Sequence, residues 1–110
     1  IEAPVATATL WGRRVSCAGG GWFRAAPYGF SRFLIGKSSR SMEGPSIFYF
    51  HPWEIDASQP RIDEAPAKSK FRHYFNLDRM EEKLERLLGD FSWGRIDDAL
   101  GLRATSDAAA

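Results

Sequence analysis

The hydrophobic pattern of the chain is clearest after Asn76, where it predicts an amphipathic helix. Apolar side chains recur on one helical face, at Leu77, Met80, Leu84, Leu87, Leu88 and Phe91. Charged side chains occupy the other faces, at Glu81, Glu82, Lys83, Glu85 and Arg86. This separation is typical of a helix packed against a core. Asn76 is a favoured N-cap, Asp78 lies in the first turn where the helix dipole favours an acid, and Gly89 is a suitable end.

Two other segments predict strands. Residues 3–16 are rich in Val, Thr and Ala and are interrupted by Trp11-Gly12, which indicates two short strands joined by a tight turn. Residues 47–50 (IFYF) form a continuous apolar run between two prolines. Such a run suits a strand that is buried on both faces.

A second helix is predicted over residues 26–37. Phe30, Phe33 and Leu34 recur there at helical spacing, after a proline that suits a first helical turn. Basic residues alternate with the aromatic ones in this region, at Arg24, Arg32, Lys37 and Arg40. RNA binding is one interpretation of that alternation. On a helix, however, the aromatics would face the core and the basic groups the solvent, so we favour a solvated face.

The rest of the chain has weaker patterns. Residues 51–70 contain three prolines and no sustained periodicity, so they predict a long loop, which usually has a functional reason. Phe91 and Trp93 alternate as in a brief strand. Residues 96–100 suit a last helical turn, and residues 101–110 a frayed tail.

Composition limits the function more than it defines it. The 110 residues include 44% hydrophobic residues, enough for one folding unit. With 15 basic and 14 acidic side chains the net charge is +1, which gives no reason to expect nucleic acid or an anionic membrane as partner. No apolar run is long enough to span a membrane. The single cysteine, Cys17, excludes an internal disulfide, and a bacterial cytoplasmic location is slightly favoured.

The chain begins at Ile1, inside a stretch that resembles a strand. We interpret it as a segment of a longer protein, and a signal peptide on that longer protein remains open.

His51 is the strongest candidate for chemistry. It directly follows the predicted strand 47–50 and precedes Pro52-Trp53. Strand ends in α/β folds present side chains to ligands. An imidazole titrates near neutral pH and can donate a proton to a leaving group. The alternative is a histidine that only satisfies a hydrogen bond where a loop begins.

A metal site at His51, Glu54 and Asp56 is disfavoured. Pro52 makes a helix there unlikely, so the geometry for ligands on one helical face is missing, and the other histidine, His73, is distant in sequence. Further charged residues follow in the loop, at Arg61, Lys68, Lys70 and Arg72. Together with Trp53, Glu54 and Asp56, these charges either pin the loop by salt bridges or form the rim of a substrate groove.

A glycine triplet, Gly19-Gly20-Gly21, precedes Trp22 and Arg24. Glycines permit close approach of a ligand to the backbone. Trp22 would then stack on a sugar ring, and Arg24 would hold a polar substrate group. The alternative is a flexible turn next to a core tryptophan. No phosphate-loop lysine pattern follows, so nucleotide binding has little support.

Longer strings carry a family resemblance. The strings are FYFHPWEIDASQPRI, KSKFRHYFNLDRMEEKLERLLGDFSWGRIDDAL and the upstream GGGWFRAAPY. Together they resemble the C-terminal region of polysaccharide deacetylases of the NodB-homology superfamily, of the type associated with exopolysaccharide and exosortase loci of Gram-negative bacteria. In those proteins the region is an uncharacterised domain that follows the deacetylase core. The resemblance covers roughly residues 2–100.

The resemblance implies an α/β fold in which residues 1–100 supply the C-terminal portion of a deformed (β/α) barrel. It also implies a divalent metal, usually zinc, held by an aspartate and two histidines of the core, with a second aspartate as general base. The metal would polarise the acetamide carbonyl and activate water. A histidine in a hydrophobic-x-x-His motif at a strand end protonates the departing amine. The run from Phe48 to His51 matches that motif, with Phe48 in place of the more usual leucine.

Two departures limit what the resemblance implies. The metal ligands and the aspartate base belong to a region N-terminal to Ile1, so this chain has no hydrolytic centre of its own. The string FRAAPYG is similar to an Arg-x-Pro-aromatic-Gly motif of the superfamily, but it has one extra residue between Arg24 and Pro27. No role is carried over from that motif.

The sequence therefore predicts part of a metal-dependent N-deacetylase that acts on an N-acetylated polysaccharide or its lipid-linked precursor. His51 is the expected proton donor, and the expected pocket wall comprises Gly20, Gly21, Trp22, Arg24 and Trp53. The deacetylase core of the same longer chain is the expected partner. The alternatives are a non-catalytic carbohydrate-binding or assembly domain, and a scaffold that has lost its activity.

Overall fold

A computed structural model describes residues 4–41 and 45–102 of the chain. The described residues form an antiparallel hairpin and a set of helices. The strands are β1 (Thr7–Leu10) and β2 (Arg13–Ser16), and the helices are α1 (Gly20–Ala25), α2 (Tyr28–Ser41), α3 (Ala67–Tyr74), α4 (Leu77–Asp90) and α5 (Ile96–Ala99). A short 3-10 helix, Pro52–Ile55, lies between α2 and α3. No helix in this part of the chain has the length and apolar character needed to cross a membrane.

The hairpin confirms the two predicted strands. Thr7 pairs with Ser16 and Leu10 with Arg13, and Trp11-Gly12 forms the turn. Both turn residues have positive φ angles, 47° and 76°. Two consecutive positive φ angles match the twist of a two-residue hairpin, which explains why glycine stands at the second position.

The prediction of a buried strand at residues 47–50 is wrong. The segment is extended, but only Ile47 and Tyr49 form isolated parallel bridges, with Val5 and Gly19. Tyr49 and Phe50 are substantially exposed, whereas Phe48 packs against the core. The segment lies beside the residues that flank the hairpin, and its last two side chains stay at the surface. A continuous apolar run is therefore not a sign of burial here.

The core lies between the hairpin, α1, α2 and α4. Its buried apolar residues are Ala6, Ala8, Cys17, Ala18, Phe23, Tyr28, Leu34, Ile35, Met80, Leu84 and Leu87. The predicted helix over residues 26–37 is confirmed as α2, which continues to Ser41. The expectation that its aromatics face the core is wrong for Phe30 and Phe33, which are about half exposed. Helix α2 instead contributes Leu34 and Ile35 to the core.

The amphipathic helix after Asn76 is confirmed as α4, with Asp78 in its first turn. Leu77, Met80, Leu84 and Leu87 are buried as predicted, but Leu88 is largely exposed. The buried face of α4 therefore includes fewer residues than the apolar stripe predicted from the sequence. Gly89 does not end the helix, which runs one residue further to Asp90.

The segments with weak sequence patterns agree with the predictions only in part. The predicted loop over residues 51–70 contains the 3-10 helix and the first residues of α3. No strand forms at Phe91 and Trp93. Their rings lie edge to face, with 6.4 Å between centroids. The last helical turn is confirmed as α5. Most of the tail predicted to be frayed, residues 103–110, lies outside the described residues.

Helix α4 closes the C-terminal end of α1 with polar side chains. Lys83 Nζ donates to the carbonyl oxygens of Phe23, Arg24 and Ala26 at 3.1, 3.0 and 2.7 Å. Asn76 Nδ2 also donates to the Arg24 oxygen, at 2.9 Å. The last carbonyls of a helix lack partners within it, and a cation there also complements the helix dipole. Burial lowers the pKa of Lys83, and the charge of Arg79 adds to this.

The stability of the domain is expected to fall in alkaline solution because of Tyr28. Burial, together with the hydrogen bond to Asp90 and its negative charge, raises the pKa of Tyr28 to about 12. In the unfolded chain Tyr28 has its ordinary pKa of 10. As the pH rises, it therefore loses its proton in the unfolded state before it does so in the folded state, and this favours unfolding. The contribution of neutral Tyr28 to the free energy of unfolding is complete below pH 10 and is lost between pH 10 and 12. After a discount for solvent screening, we expect a loss of about 2 kcal/mol.

Urea unfolding at several pH values measures this loss. In Tyr28→Phe the free energy of unfolding should vary less over the same range, since no phenol remains at this position. An equal alkaline loss in Tyr28→Phe would assign the effect to another group.

Candidate functional site

His51 lies at the surface, at the N-terminal end of the 3-10 helix. The extended segment delivers it there, and the following proline begins the helix. Its side chain is 58% exposed. The ring of Tyr49 meets the imidazole edge-on at 6.0 Å between centroids, and the indole of Trp53 lies nearly parallel to it at 6.0 Å. The predicted proton donor is therefore accessible to a ligand and bordered by aromatic rings.

A buried ion pair lies directly beneath His51. Arg24 Nε donates to Glu54 Oε1 at 3.1 Å, and the two side chains are only 4% and 2% exposed. The other oxygen, Glu54 Oε2, accepts the backbone N–H of His51 at 2.7 Å and lies 3.5 Å from His51 Nδ1. The carboxylate thus links a buried guanidinium to the exposed imidazole. This His-x-x-Glu spacing is that of a capping box, in which the third residue of a helix bonds back to its N-cap.

Arg24 does not face a ligand, which corrects its assignment to a pocket wall. Its Nη1 donates to the carbonyl oxygens of His73 and Phe75 at 3.0 and 2.8 Å, and its Nη2 to that of Arg72 at 3.4 Å. These carbonyls belong to the C-terminal end of α3. A guanidinium so engaged closes the end of a helix and holds Glu54, and it has no exposed surface left for a sugar.

Trp53 is fixed on the inner side of His51. The ring of His73 stacks on its indole at 4.1 Å with an angle of 12° between the planes, and the Arg24 guanidinium lies 5.2 Å from its centroid. Gln59 joins the two segments, because its amide contacts His73 Nε2 and donates to the Trp53 carbonyl oxygen. Trp53 therefore supports the imidazole more than it forms an open wall.

Trp22 is the predicted pocket residue with the most open surface. It lies in α1 and is 65% exposed. An exposed indole is a suitable platform for a sugar ring. The structure brings together His51, Trp53, Arg24 and Gly20 around Glu54, while Trp22 and Gly21 face the solvent.

The glycine triplet is not a flexible turn, because Gly20 and Gly21 belong to α1. The close approach that Gly20 permits is by a side chain of the same chain. A Cβ at Gly20 would lie 2.3 Å from Glu54 Oε2, whereas a Cβ at Gly21 would meet no atom within 4 Å. Gly20 thus makes room for the buried carboxylate.

This difference between neighbours gives a matched test. Gly20→Ala is expected to lower the free energy of unfolding by about 1–3 kcal/mol, the usual cost of overpacking. Gly21→Ala should raise it by about 0.5–1 kcal/mol, because alanine suits a helix better than glycine. Urea unfolding of the two variants measures both values. Similar effects at the two positions would contradict the contact between Gly20 and Glu54.

Glu54 and His73 are the site residues that sequence reasoning did not assign. The sequence placed Glu54 in the loop as a salt-bridge or rim residue, and the structure favours the salt bridge. The His-x-x-Glu spacing was its available signal. His73 has no such signal, since its position on the Trp53 ring depends on the packing of α3.

The described residues contain no cluster of three His, Cys, Asp or Glu side chains able to hold a metal ion. His51 and Glu54 are close together, but the carboxylate is already neutralised by Arg24. The residues at this site thus do not suit a metal.

The chain belongs to the family described as "Domain of unknown function (DUF3473)", whose model matches residues 1–101. The match agrees with the expectation of an uncharacterised domain over nearly the whole chain. Comparisons with curated proteins and with solved structures gave no match. The deacetylase activity and the barrel implied by the resemblance therefore remain predictions.

Proposed function

We propose that this chain is the C-terminal part of a metal-dependent polysaccharide N-deacetylase, with His51 as the general acid. The longer protein is called the parent enzyme below. The observation that carries the proposal is the state of His51, an imidazole that is 58% exposed although its neighbours Glu54 and Trp53 are held by buried contacts. His51 also caps the 3-10 helix, and the part of its ring that remains exposed can meet a ligand.

The chemistry of the reaction requires a proton donor. Hydrolysis of an acetamide expels an amine, and the nitrogen must take up a proton as the carbon–nitrogen bond breaks. A protonated imidazole within reach of the nitrogen can supply that proton. The exposed ring of Tyr49 beside His51 suits the apolar face of a sugar.

A divalent metal, proposed to be zinc, would polarise the acetamide carbonyl and activate water. Its ligands would come from the N-terminal core of the parent enzyme, since the site around His51 does not suit a metal. We also propose that this chain supplies the C-terminal portion of a deformed (β/α) barrel in the parent enzyme.

Acetate release tests the proposal. The parent enzyme should release acetate from N-acetylated glycans, lose this activity on treatment with a chelator and regain it with Zn²⁺. The 110-residue chain alone should release none. Absence of metal-dependent release from the parent enzyme on a panel of N-acetylated glycans, or zinc-dependent release by the isolated chain, would contradict the proposal.

A non-catalytic carbohydrate-binding domain is the second candidate, favoured by the exposed indole of Trp22. In that case glycan binding would persist in His51→Ala and weaken in Trp22→Ala, with no acetate released by the parent protein. Glycan binding by titration calorimetry, measured beside acetate release, separates the two candidates.

A further inference from the structure

We infer that the cavity between α4 and the turn that joins α1 to α2 binds the phosphate group of a small soluble phosphate ester, such as a sugar phosphate. This inference goes beyond the proposed function and does not depend on it, because none of the residues placed around His51 lines this cavity.

The cavity has a volume of about 390 Å³ and two unlike walls. One wall is the turn at residues 25–27 together with Tyr28, and it is largely apolar. The other wall is α4, which contributes Arg79, Lys83 and Arg86. These three positions follow each other at intervals of four and three residues, so they share one face of the helix. A ligand in the cavity would meet basic groups on one side and an apolar surface on the other.

The basic groups are held close to one another. Lys83 Nζ is fixed by its three bonds to carbonyl oxygens at the end of α1. The Arg86 guanidinium lies 4.1 Å from the centroid of the Tyr28 ring. Burial lowers the pKa of Lys83, and the positive charge of Arg79 lowers it further. Like charges four residues apart on a helix repel each other, and an anion in the cavity would relieve this repulsion.

The two arginines have N–H donors left for a ligand. Neither guanidinium forms an ion pair or a side-chain hydrogen bond with another residue in the ranges 4–41 and 45–102. A guanidinium binds a phosphate through two parallel N–H donors, so Arg79 and Arg86 are the expected contacts. Lys83 has already used its three hydrogens and would contribute charge alone. Glu82 is the one acidic side chain among the described residues that line the cavity, which leaves an excess of positive charge.

A soluble ester fits this cavity better than the headgroup of a membrane lipid does. The basic groups line a recess whose apolar wall would accommodate the organic part of a small ester. The net charge of the chain is only +1, which provides little attraction to an anionic membrane.

Nitrogen-15 NMR of the 110-residue chain during titration with glucose 1-phosphate, at constant ionic strength, tests the inference. The side-chain Nε–H signals of Arg79 and Arg86 are those absent from Arg79→Gln and Arg86→Gln. Both signals should shift and reach saturation. The signal of Arg13, an exposed arginine of β2 outside the cavity, should not move.

Affinities from the same titration provide matched controls. Arg79→Gln should weaken binding about 10- to 100-fold, the usual effect of losing a hydrogen bond to a charged group. Glu82→Gln should strengthen binding by up to about fivefold, because it removes the opposing charge. Arg13→Gln removes the same charge as Arg79→Gln and should leave the affinity unchanged. All three side chains are exposed, so the variants should fold.

An Arg79 signal that does not shift to saturation, or equal weakening in Arg79→Gln and Arg13→Gln, would overturn the inference. Binding to vesicles that contain phosphatidic acid, without binding of glucose 1-phosphate, would overturn the assignment to a soluble ester.

Discussion

Replacing His51 with alanine in the parent enzyme is expected to lower the turnover of an N-acetylated glycan by about 10²- to 10⁴-fold, the usual contribution of a positioned general acid. The loss should fall on kcat, because a proton donor acts in the transition state more than in binding. Acetate release at saturating substrate measures it.

The controls for this variant follow from the position of the side chain. Because the imidazole is 58% exposed and belongs to no metal cluster of the described residues, its removal should leave the fold and the zinc content intact. Glu85→Gln, on the solvent side of α4, should retain normal turnover. Near-normal turnover in His51→Ala would reduce this histidine to a structural residue.

The second large effect concerns the buried ion pair. Arg24→Met is expected to lower the free energy of unfolding by about 3–5 kcal/mol, because it leaves the Glu54 carboxylate buried without its partner. It also removes the donors to the carbonyl oxygens at the end of α3. A domain of this size has a total stability of about 5–15 kcal/mol, so the variant should be close to unfolding. Urea unfolding of the 110-residue chain gives the value.

The chain contains a matched control for this experiment. Arg32 Nε contacts Asp90 at 3.1 Å, the distance found between Arg24 and Glu54, but these side chains are 57% and 37% exposed. Arg32→Met should change the stability by no more than about 1 kcal/mol.

The double variant Arg24→Met/Glu54→Met should lose less stability than the sum of the single variants, because no unpaired charge remains. Equal losses in Arg24→Met and Arg32→Met would show that burial does not set the strength of the pair.

Local patterns predicted the hairpin, α2 and α4, but they did not predict α1 or α3. The hairpin and α4 were found because their signals, a turn dipeptide and an apolar stripe, lie within a few residues. The segment 47–50 was misjudged because its environment is set by Val5 and Gly19, which flank the hairpin and lie 42 and 30 residues from Ile47 and Tyr49 in sequence. The exposure of Leu88 likewise depends on how much of α4 its neighbours cover.

The candidate site could be predicted only in part. His51 was chosen for its place after an apolar run and for the resemblance of residues 48–51 to the hydrophobic-x-x-His motif, and its role stays a prediction. The residues that surround His51 could not be predicted in this way. Arg24 lies 30 residues from Glu54, and His73 contacts Trp53 only because of the way α3 packs. Arg24 was judged to be a substrate contact because the glycines before it permit close approach of a ligand. The carboxylate that pairs with it, Glu54, cannot be identified from spacing alone.

The dependence of the His51→Ala loss on the leaving group tests the central claim most directly. An amine must be protonated to leave, whereas 4-nitrophenolate leaves without help. Turnover of an N-acetylated glycan should therefore fall about 10²- to 10⁴-fold in the variant, while hydrolysis of 4-nitrophenyl acetate by the same preparation should fall less than about tenfold. Equal losses on the two substrates would contradict the role of His51 as a proton donor.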